Sequence, residues 1–122
     1  MHIEEFRDFC IAKKGVTAHF PFDEVTLVFK VMNKIFTLTG LTNWEKGEAK
    51  INLKCAPEKT ATLRDEYEGI APGWHMNKRL WNTITLNSSD VSDDLAKELI
   101  NHSYKLVVNG LTKKLQAELE NL

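Results

Sequence analysis

One short stretch of the chain concentrates side chains that could bind a ligand. Residues 72–83 read PGWHMNKRLWNT, and residues 74–82 alone hold two tryptophans, a histidine, a methionine, two asparagines and two cations. Tryptophan offers a stacking face, lysine and arginine neutralise phosphate, and asparagine pairs with the edges of bases. The stretch is therefore either a surface that binds an anionic partner or a structural plug whose tryptophans close the end of the core. If it binds a partner, its candidate contacts are His75, Asn77, Lys78, Arg79 and Trp81.

Residues that could support catalysis or metal binding are dispersed along the rest of the chain. None of the four histidines pairs with another histidine or a cysteine at helical spacing, and no HExxH, GxSxG or glycine-rich phosphate loop is present. Cys10 lies on the apolar stripe of a predicted helix and Cys55 alternates in phase with apolar residues of a predicted strand, which predicts two buried thiols. We therefore expect no enzymatic activity, no metal and no cofactor.

Length and charge limit the class of protein. A chain of 122 residues predicts a single domain over 1–122. The formal net charge of -1 excludes a histone-like protein that binds polyanions through bulk charge. No apolar run approaches the ~18 residues of a membrane span, and the N-terminus lacks the basic and then apolar order of a signal peptide. We therefore expect a cytoplasmic protein that does not enter a membrane.

The hydrophobic period predicts an α+β fold. Apolar residues recur at three- and four-residue steps near both ends of the chain and alternate between those regions. The predicted elements are, in chain order, a helix at 3–14, a connector at 16–22, strands at 25–31 and 35–40, a loop at 43–47, a strand at 49–55, a helix at 57–69, a strand at 81–86 and a long helix that Ser92 caps. Leucines after Gly110 continue that helix or begin a separate turn. We expect two layers, with the helices on one face of an antiparallel sheet.

Alternation also predicts which lysines share the uncovered face of the sheet. Because Phe29, Ile51 and Leu53 fall in the buried phase, the residues between them point the other way. The face so predicted is wet and basic and carries Thr26, Lys30, Lys50, Asn52, Lys54, Trp81, Thr83 and Thr85. Trp81 is there either an open stacking platform or an indole partly covered by neighbouring loops, and we expect partial cover. Lys34 lies in the tight hairpin that Asn33 predicts.

Ser103 falls on the apolar stripe of the last helix. A serine in that position usually donates to the carbonyl one turn earlier in its own helix. The alternative is that Ser103 and Tyr104 bond across the fold to the tryptophan-rich stretch.

The sequence resembles the MmcQ/YjbR family over essentially its whole length. The matching segments are 21–24, 28–36, 51–54, 63–64, 72–83 and 103–107, of which 72–83 is the most specific. The resemblance implies a two-layer fold like that of the bacterial frataxin CyaY, in the order α-β-β-β-α-β-β-α, with a short fourth strand around residues 74–76. It also implies a double-wing DNA-binding protein without enzymatic activity. The chain departs from the family pattern at Asn33, where relatives have Gly, at Ala56, where an acidic cap is usual, and at Leu80, where relatives have His.

Two functions remain open at this point. In the first, DNA binds weakly through its phosphates, with the lysine face as the platform and the loops around 33–34 and 77–79 as wings. In the second, the domain binds a protein segment or a small ligand, as secretion-chaperone-like domains do, and its three tryptophans are the anchors. A continuous positive patch that includes Lys78 and Arg79 favours DNA, whereas an apolar groove with a polar rim favours the second function.

Overall fold

The computed structural model describes residues 1–122 and contains five helices and six strands. The helices are α1 Ile3–Ile11, α2 Leu41–Glu45, α3 Pro57–Glu66, α4 Asp93–Asn109 and α5 Lys113–Glu120. The strands are β1 Val16–His19, β2 Thr26–Val31, β3 Lys34–Gly40, β4 Lys50–Lys54, β5 Ile70–Pro72 and β6 Trp81–Thr85. The predicted α+β class is confirmed.

All six strands form one antiparallel sheet in the order β1-β2-β3-β4-β6-β5. Helices α1 and α4 pack on one face of this sheet, which we call the inner face. The core lies between these helices and the sheet, and it includes Phe6 of α1, Ile100 of α4 and Phe29, Ile51 and Ile84 of the strands. The opposite face of the sheet is called the outer face below.

Local signals explain where the helices begin. Pro57 opens α3, where its missing N–H costs no hydrogen bond. Ser92 caps α4 by accepting a hydrogen bond from the Leu95 amide at 3.1 Å. Thr112 caps α5 in the same way, so Leu115 and Leu119 belong to a separate helix, whereas Leu111 lies in the turn before it.

Three of the predicted elements are wrong in type or place. The connector at 16–22 begins with β1, a four-residue edge strand too short to give a clear alternation. The loop at 43–47 begins inside α2, where Trp44 packs on the Phe6 ring at 5.9 Å between centroids and donates to Thr39 Oγ1. The short strand expected at 74–76 lies instead at Ile70–Pro72.

Ser103 bonds in neither of the two ways considered. Its fully buried hydroxyl donates to the Phe36 carbonyl and accepts a hydrogen bond from the Lys54 amide at 2.9 Å. The last rung between β3 and β4 at this end pairs Thr37 with Leu53, so these two backbone groups lie just beyond it. A side chain of α4 therefore supplies the hydrogen bonds where the sheet ladder stops.

Candidate functional site

Strand register places the side chains of the outer face in rows. Since paired residues point to the same side of a sheet, the cross-strand pairs define a central row of six residues. This row is His19, Val28, Leu38, Asn52, Thr83 and Ala71. Its middle is drier than the wet face that the sequence predicted, because Val28 is fully buried and Asn52 is 7% exposed.

The predicted lysines do share the outer face. Lys54 pairs across to Trp81 and Lys30 pairs to Ile35, which places both lysines in the row on one side of the central row. Lys50 pairs to Thr85 in the row on the other side. Since the strand positions of this face carry no Asp or Glu, the face is locally cationic although the chain as a whole is not.

A cleft of about 750 Å³ lies over the outer face. Its floor includes the apolar Leu38, Gly40 and Ala71 together with the polar Asn52 and Thr83, which lie between Leu38 and Ala71 in the central row. Aromatic residues stand on both sides of it, Phe22 before β2 and Trp74 after β5. Most of the surface that lines it is apolar, so the cleft fits the expectation of an apolar groove better than that of a continuous basic patch, although polar side chains also lie in its floor.

Trp74 is an exposed side chain on a fixed backbone. The residue is 70% exposed. Its amide donates to Thr83 Oγ1 at 3.1 Å, and its carbonyl accepts from Asn52 Nδ2 at 3.2 Å. Thr83 in turn donates to Asn52 Oδ1 at 2.6 Å, so these two polar side chains of the floor hold the wall residue in place.

His75 extends the same wall. Its ring lies 4.1 Å from the Trp74 ring between centroids, and its backbone φ is 58°. A non-glycine residue in the left-handed region costs of order 1 kcal/mol and persists where the surroundings enforce it. The hydrogen bonds of the adjacent Trp74 backbone hold the start of this turn in place.

The opposite wall is held by Asp23. Its Oδ1 accepts from the Val25 and Thr26 amides at 2.9 and 2.6 Å, and its Oδ2 accepts from Thr26 Oγ1 at 3.0 Å. These bonds to the backbone lower the pKa of the carboxyl below its ordinary value. The tight turn they create leaves Phe22 67% exposed beside the cleft.

Arg64 of α3 organises the loop that leads back to β6. Its Nε donates to Asn82 Oδ1 at 2.7 Å, and its guanidinium also donates to the carbonyls of Trp81, at 3.1 Å, and Lys78. Thr60 of the same helix donates to the Arg79 carbonyl at 2.9 Å. Arg64 is not among the site residues that the sequence predicted. The signal was Asn82, a polar residue in the buried phase of a strand, which requires a buried partner.

The nine sequence-predicted site residues do not all meet at the cleft. Lys50 and His75 line it. Those outside its lining are Lys30, Lys34, Lys54, Asn77, Lys78, Arg79 and Trp81.

Two of these side chains bond within their own loop. Asn77 Oδ1 accepts from the Arg79 amide at 2.9 Å, and Lys78 Nζ donates to the Gly73 carbonyl at 3.1 Å. Trp81 is half-buried, which agrees with the partial cover expected of it, and the exposed indole of the stretch belongs to Trp74. The stretch is thus both structural and surface-forming, with different residues in each role.

Both cysteines are buried and unpaired, as the sequence predicts. Burial raises the pKa of the Cys10 thiol to about 12. The side chains of His, Cys, Asp and Glu nowhere form a group of three or more that could hold a metal ion. None of the helices has the length and apolar character needed to cross a membrane.

Residues 11–106 match the protein-family model described as YjbR. The chain belongs to the YjbR family. Among YjbR relatives, the Escherichia coli O157:H7 protein YbdF is 40% identical over 96 residues, which cover 79% of this chain and 75% of that one. The Escherichia coli K12 protein YjbR is 28% identical over 122 residues, the full length of both chains. Both relatives are uncharacterised, so membership of the YjbR family brings no activity with it.

Solved structures agree with this YjbR fold. The crystal structure of a Deinococcus radiodurans protein with a DUF419 domain superposes with a TM-score of 0.88 at 36% identity, covering 98% of this chain and 88% of that one. A Pseudomonas syringae protein superposes with a TM-score of 0.73 at 27% identity, covering 87% of this chain and 98% of that one. The family and fold expected from the sequence are confirmed.

Proposed function

We propose that this protein is a non-catalytic binding protein whose ligand is a small organic molecule held in the outer-face cleft. The observation that carries the proposal is Trp74. Burying an indole releases more free energy than burying almost any other side chain, yet this one is 70% exposed while its backbone is bonded on both sides. An exposed tryptophan on a fixed backbone at the edge of a cleft can contact a ligand without the cost of ordering its loop.

The size and lining of the cleft support the same function. A volume of about 750 Å³ falls within the ~300–1,000 Å³ range of small-molecule sites. Such sites combine apolar walls with a few polar groups, and here Phe22, Leu38 and Met76 supply the apolar part while Asn43 and Lys50 supply polar atoms. Two unpaired cysteines suit a reducing compartment, so we place this function in the cytoplasm.

DNA binding is the second candidate, and the shared face of Lys30, Lys50 and Lys54 favours it. Three phosphate contacts would give weak binding, and a plot of the logarithm of the binding constant against that of the salt concentration would have a slope of about -3. One feature weighs against this candidate. Lys78, expected in a wing, directs its ammonium to its own loop.

The test is amide chemical-shift mapping with a panel of small organic molecules and a DNA duplex. The proposal expects saturable shifts at residues lining the cleft, with Trp74→Ala weakening the binding. Phe20→Ala is the matched control, because Phe20 is an exposed aromatic residue outside the cleft. Panel members that shift only residues elsewhere, or none, would overturn the proposal. Salt-dependent shifts with the duplex alone would favour DNA.

A further inference from the structure

We infer that the ligand of the cleft is a small planar aromatic anion, an inference that rests on the proposed function. The shape of the lining suits a flat group. The aromatic side chains of Trp74 and Phe22 both line the cleft. Its floor includes Gly40 and Ala71, which have no side chain or a single methyl group, beside the larger Leu38 and Asn52. A flat group fills such a space with more contact than a branched aliphatic group does.

Several polar side chains of the lining already bond within the protein, and those that do not are free to bond a ligand. The side chains of Asn52 and Thr83 form hydrogen bonds with the Trp74 backbone and with each other, and the Thr26 hydroxyl donates to Asp23. The Lys50 ammonium, in contrast, makes no hydrogen bond or ion pair, although the Lys50 carbonyl accepts a hydrogen bond from Thr39 Oγ1. This ammonium is thus a cation that lines the cleft without a partner in the protein.

A neutral donor lies at the same end of the cleft as Lys50. The Asn43 amide nitrogen of α2 stands over the backbone of Gly40, 3.6 Å from where a Cβ would be. Gly40 and Lys50 are the next residues beyond the rung between Thr39 and Ile51, so they are neighbours across β3 and β4. A cation and an amide donor at one end of an apolar cleft suit a carboxylate, sulfonate or phosphate group.

Charge also argues that the anion is small rather than a polymer. The one carboxylate that lines the cleft is Glu48, two residues before Lys50 and at the same end. No ion pair joins these two side chains. A single anionic group can bond to Lys50 and Asn43 there, but a nucleic acid strand running on past this end would bring further phosphates towards Glu48.

Three compounds test the flat ring and the anionic group of the ligand separately. Naphthalene-2-carboxylate is flat and anionic, naphthalene-2-carboxamide is flat and neutral, and cyclohexanecarboxylate is anionic but not flat. Dissociation constants are measured by chemical-shift titration of cleft residues. We expect the naphthoate to bind about tenfold more tightly than either of the others, since one charge-assisted contact or one stacking contact is worth about tenfold.

Two variants test whether Lys50 contacts the anionic group and whether Trp74 contacts the ring. Lys50→Met should weaken the naphthoate about five- to tenfold and leave the carboxamide unchanged, whereas Lys46→Met, an exposed lysine outside the cleft, should change neither. Trp74→Ala should weaken both naphthyl compounds about tenfold and leave cyclohexanecarboxylate unchanged. If Trp74→Ala disturbs the fold, the Lys50 comparison still decides.

The outcomes that overturn the inference differ from those that overturn the proposed function. Equal affinity for the carboxylate and the carboxamide, or equal loss of both in Lys50→Met, refutes the anionic group. Equal affinity for the cyclohexane compound refutes the flat ring. A single-stranded oligonucleotide that binds the cleft more tightly than the naphthoate refutes the small ligand. In each case the cleft remains a binding site, whereas the absence of any cleft shift across the panel refutes the proposed function itself.

Discussion

Replacing Arg64 by methionine tests whether this residue holds the tryptophan-rich loop. Methionine keeps an unbranched side chain of similar helix propensity but is shorter than arginine and removes every donor. The change breaks the bonds to Asn82 Oδ1 and to the carbonyls of Lys78 and Trp81. Asn82 is 1% exposed, so its oxygen would lose a charge-assisted partner in a place that water does not easily reach.

The expected loss follows from these bonds. An orphaned buried acceptor costs about 1–3 kcal/mol, and the two carbonyls, which lie nearer the surface, regain part of their bonding from water. We therefore expect Arg64→Met to lower the free energy of unfolding by about 2–4 kcal/mol. Arg79→Met is the matched control, because the Arg79 side chain is exposed and makes no hydrogen bond.

Urea denaturation followed by tryptophan fluorescence measures the effect. Arg79→Met should stay within about 0.5 kcal/mol of the parent protein, as exposed substitutions usually do. Arg64→Lys should recover only part of the loss, because an ammonium cannot reproduce the spread of guanidinium donors. Equal stability of the Arg64→Met and Arg79→Met proteins would refute the role assigned to Arg64.

Three further changes test other parts of the structure. Ser103→Ala should cost about 2–4 kcal/mol by urea denaturation, because it orphans the Phe36 carbonyl and the Lys54 amide; a loss under about 1 kcal/mol would contradict the bridging role. Gly73→Ala should lower the melting temperature, since a Cβ there would lie 2.8 Å from Trp81 Cβ and 2.9 Å from its carbonyl oxygen; an unchanged melting temperature would contradict this packing. His102 Nε2 accepts from the Ala56 amide at 3.3 Å, and burial together with the Lys59 charge lowers its pKa. Its neutral ring therefore stabilises the fold above the ordinary pKa of 6.5, and that contribution should be lost as the pH falls from there through the lowered pKa. A dependence of unfolding free energy on pH that is identical in His102→Gln would exclude this cause.

The register of the outer face could be predicted from the sequence because it depends on a period of two. Phe29, Ile51 and Leu53 are large and apolar, so their phase fixes the direction of the lysines between them. The same period placed the Cys55 thiol in the interior, and the helical spacing of α1 did so for Cys10. These features depend only on neighbours along the chain and on the need to bury apolar surface.

The cleft could not be predicted because long-range bonds create it. Trp74 reaches its position through Asn52, 22 residues away in the sequence, and Arg64 meets Asn82 across 18 residues. Neither partner is specified by spacing or local propensity. The short helix α2 was missed for a similar reason, since Trp44 is held by contacts with Phe6 and Thr39 rather than by its neighbours.

The most direct test of the proposed function is the indole N–H resonance of Trp74 during titration with the small-molecule panel. The resonance is assigned by its absence from the spectrum of Trp74→Phe. A ligand in the cleft should move this resonance and the amide resonance of Leu38 along one saturable curve, because the two residues form the wall and the floor of one site. Saturable binding that leaves both resonances in place would contradict the central claim.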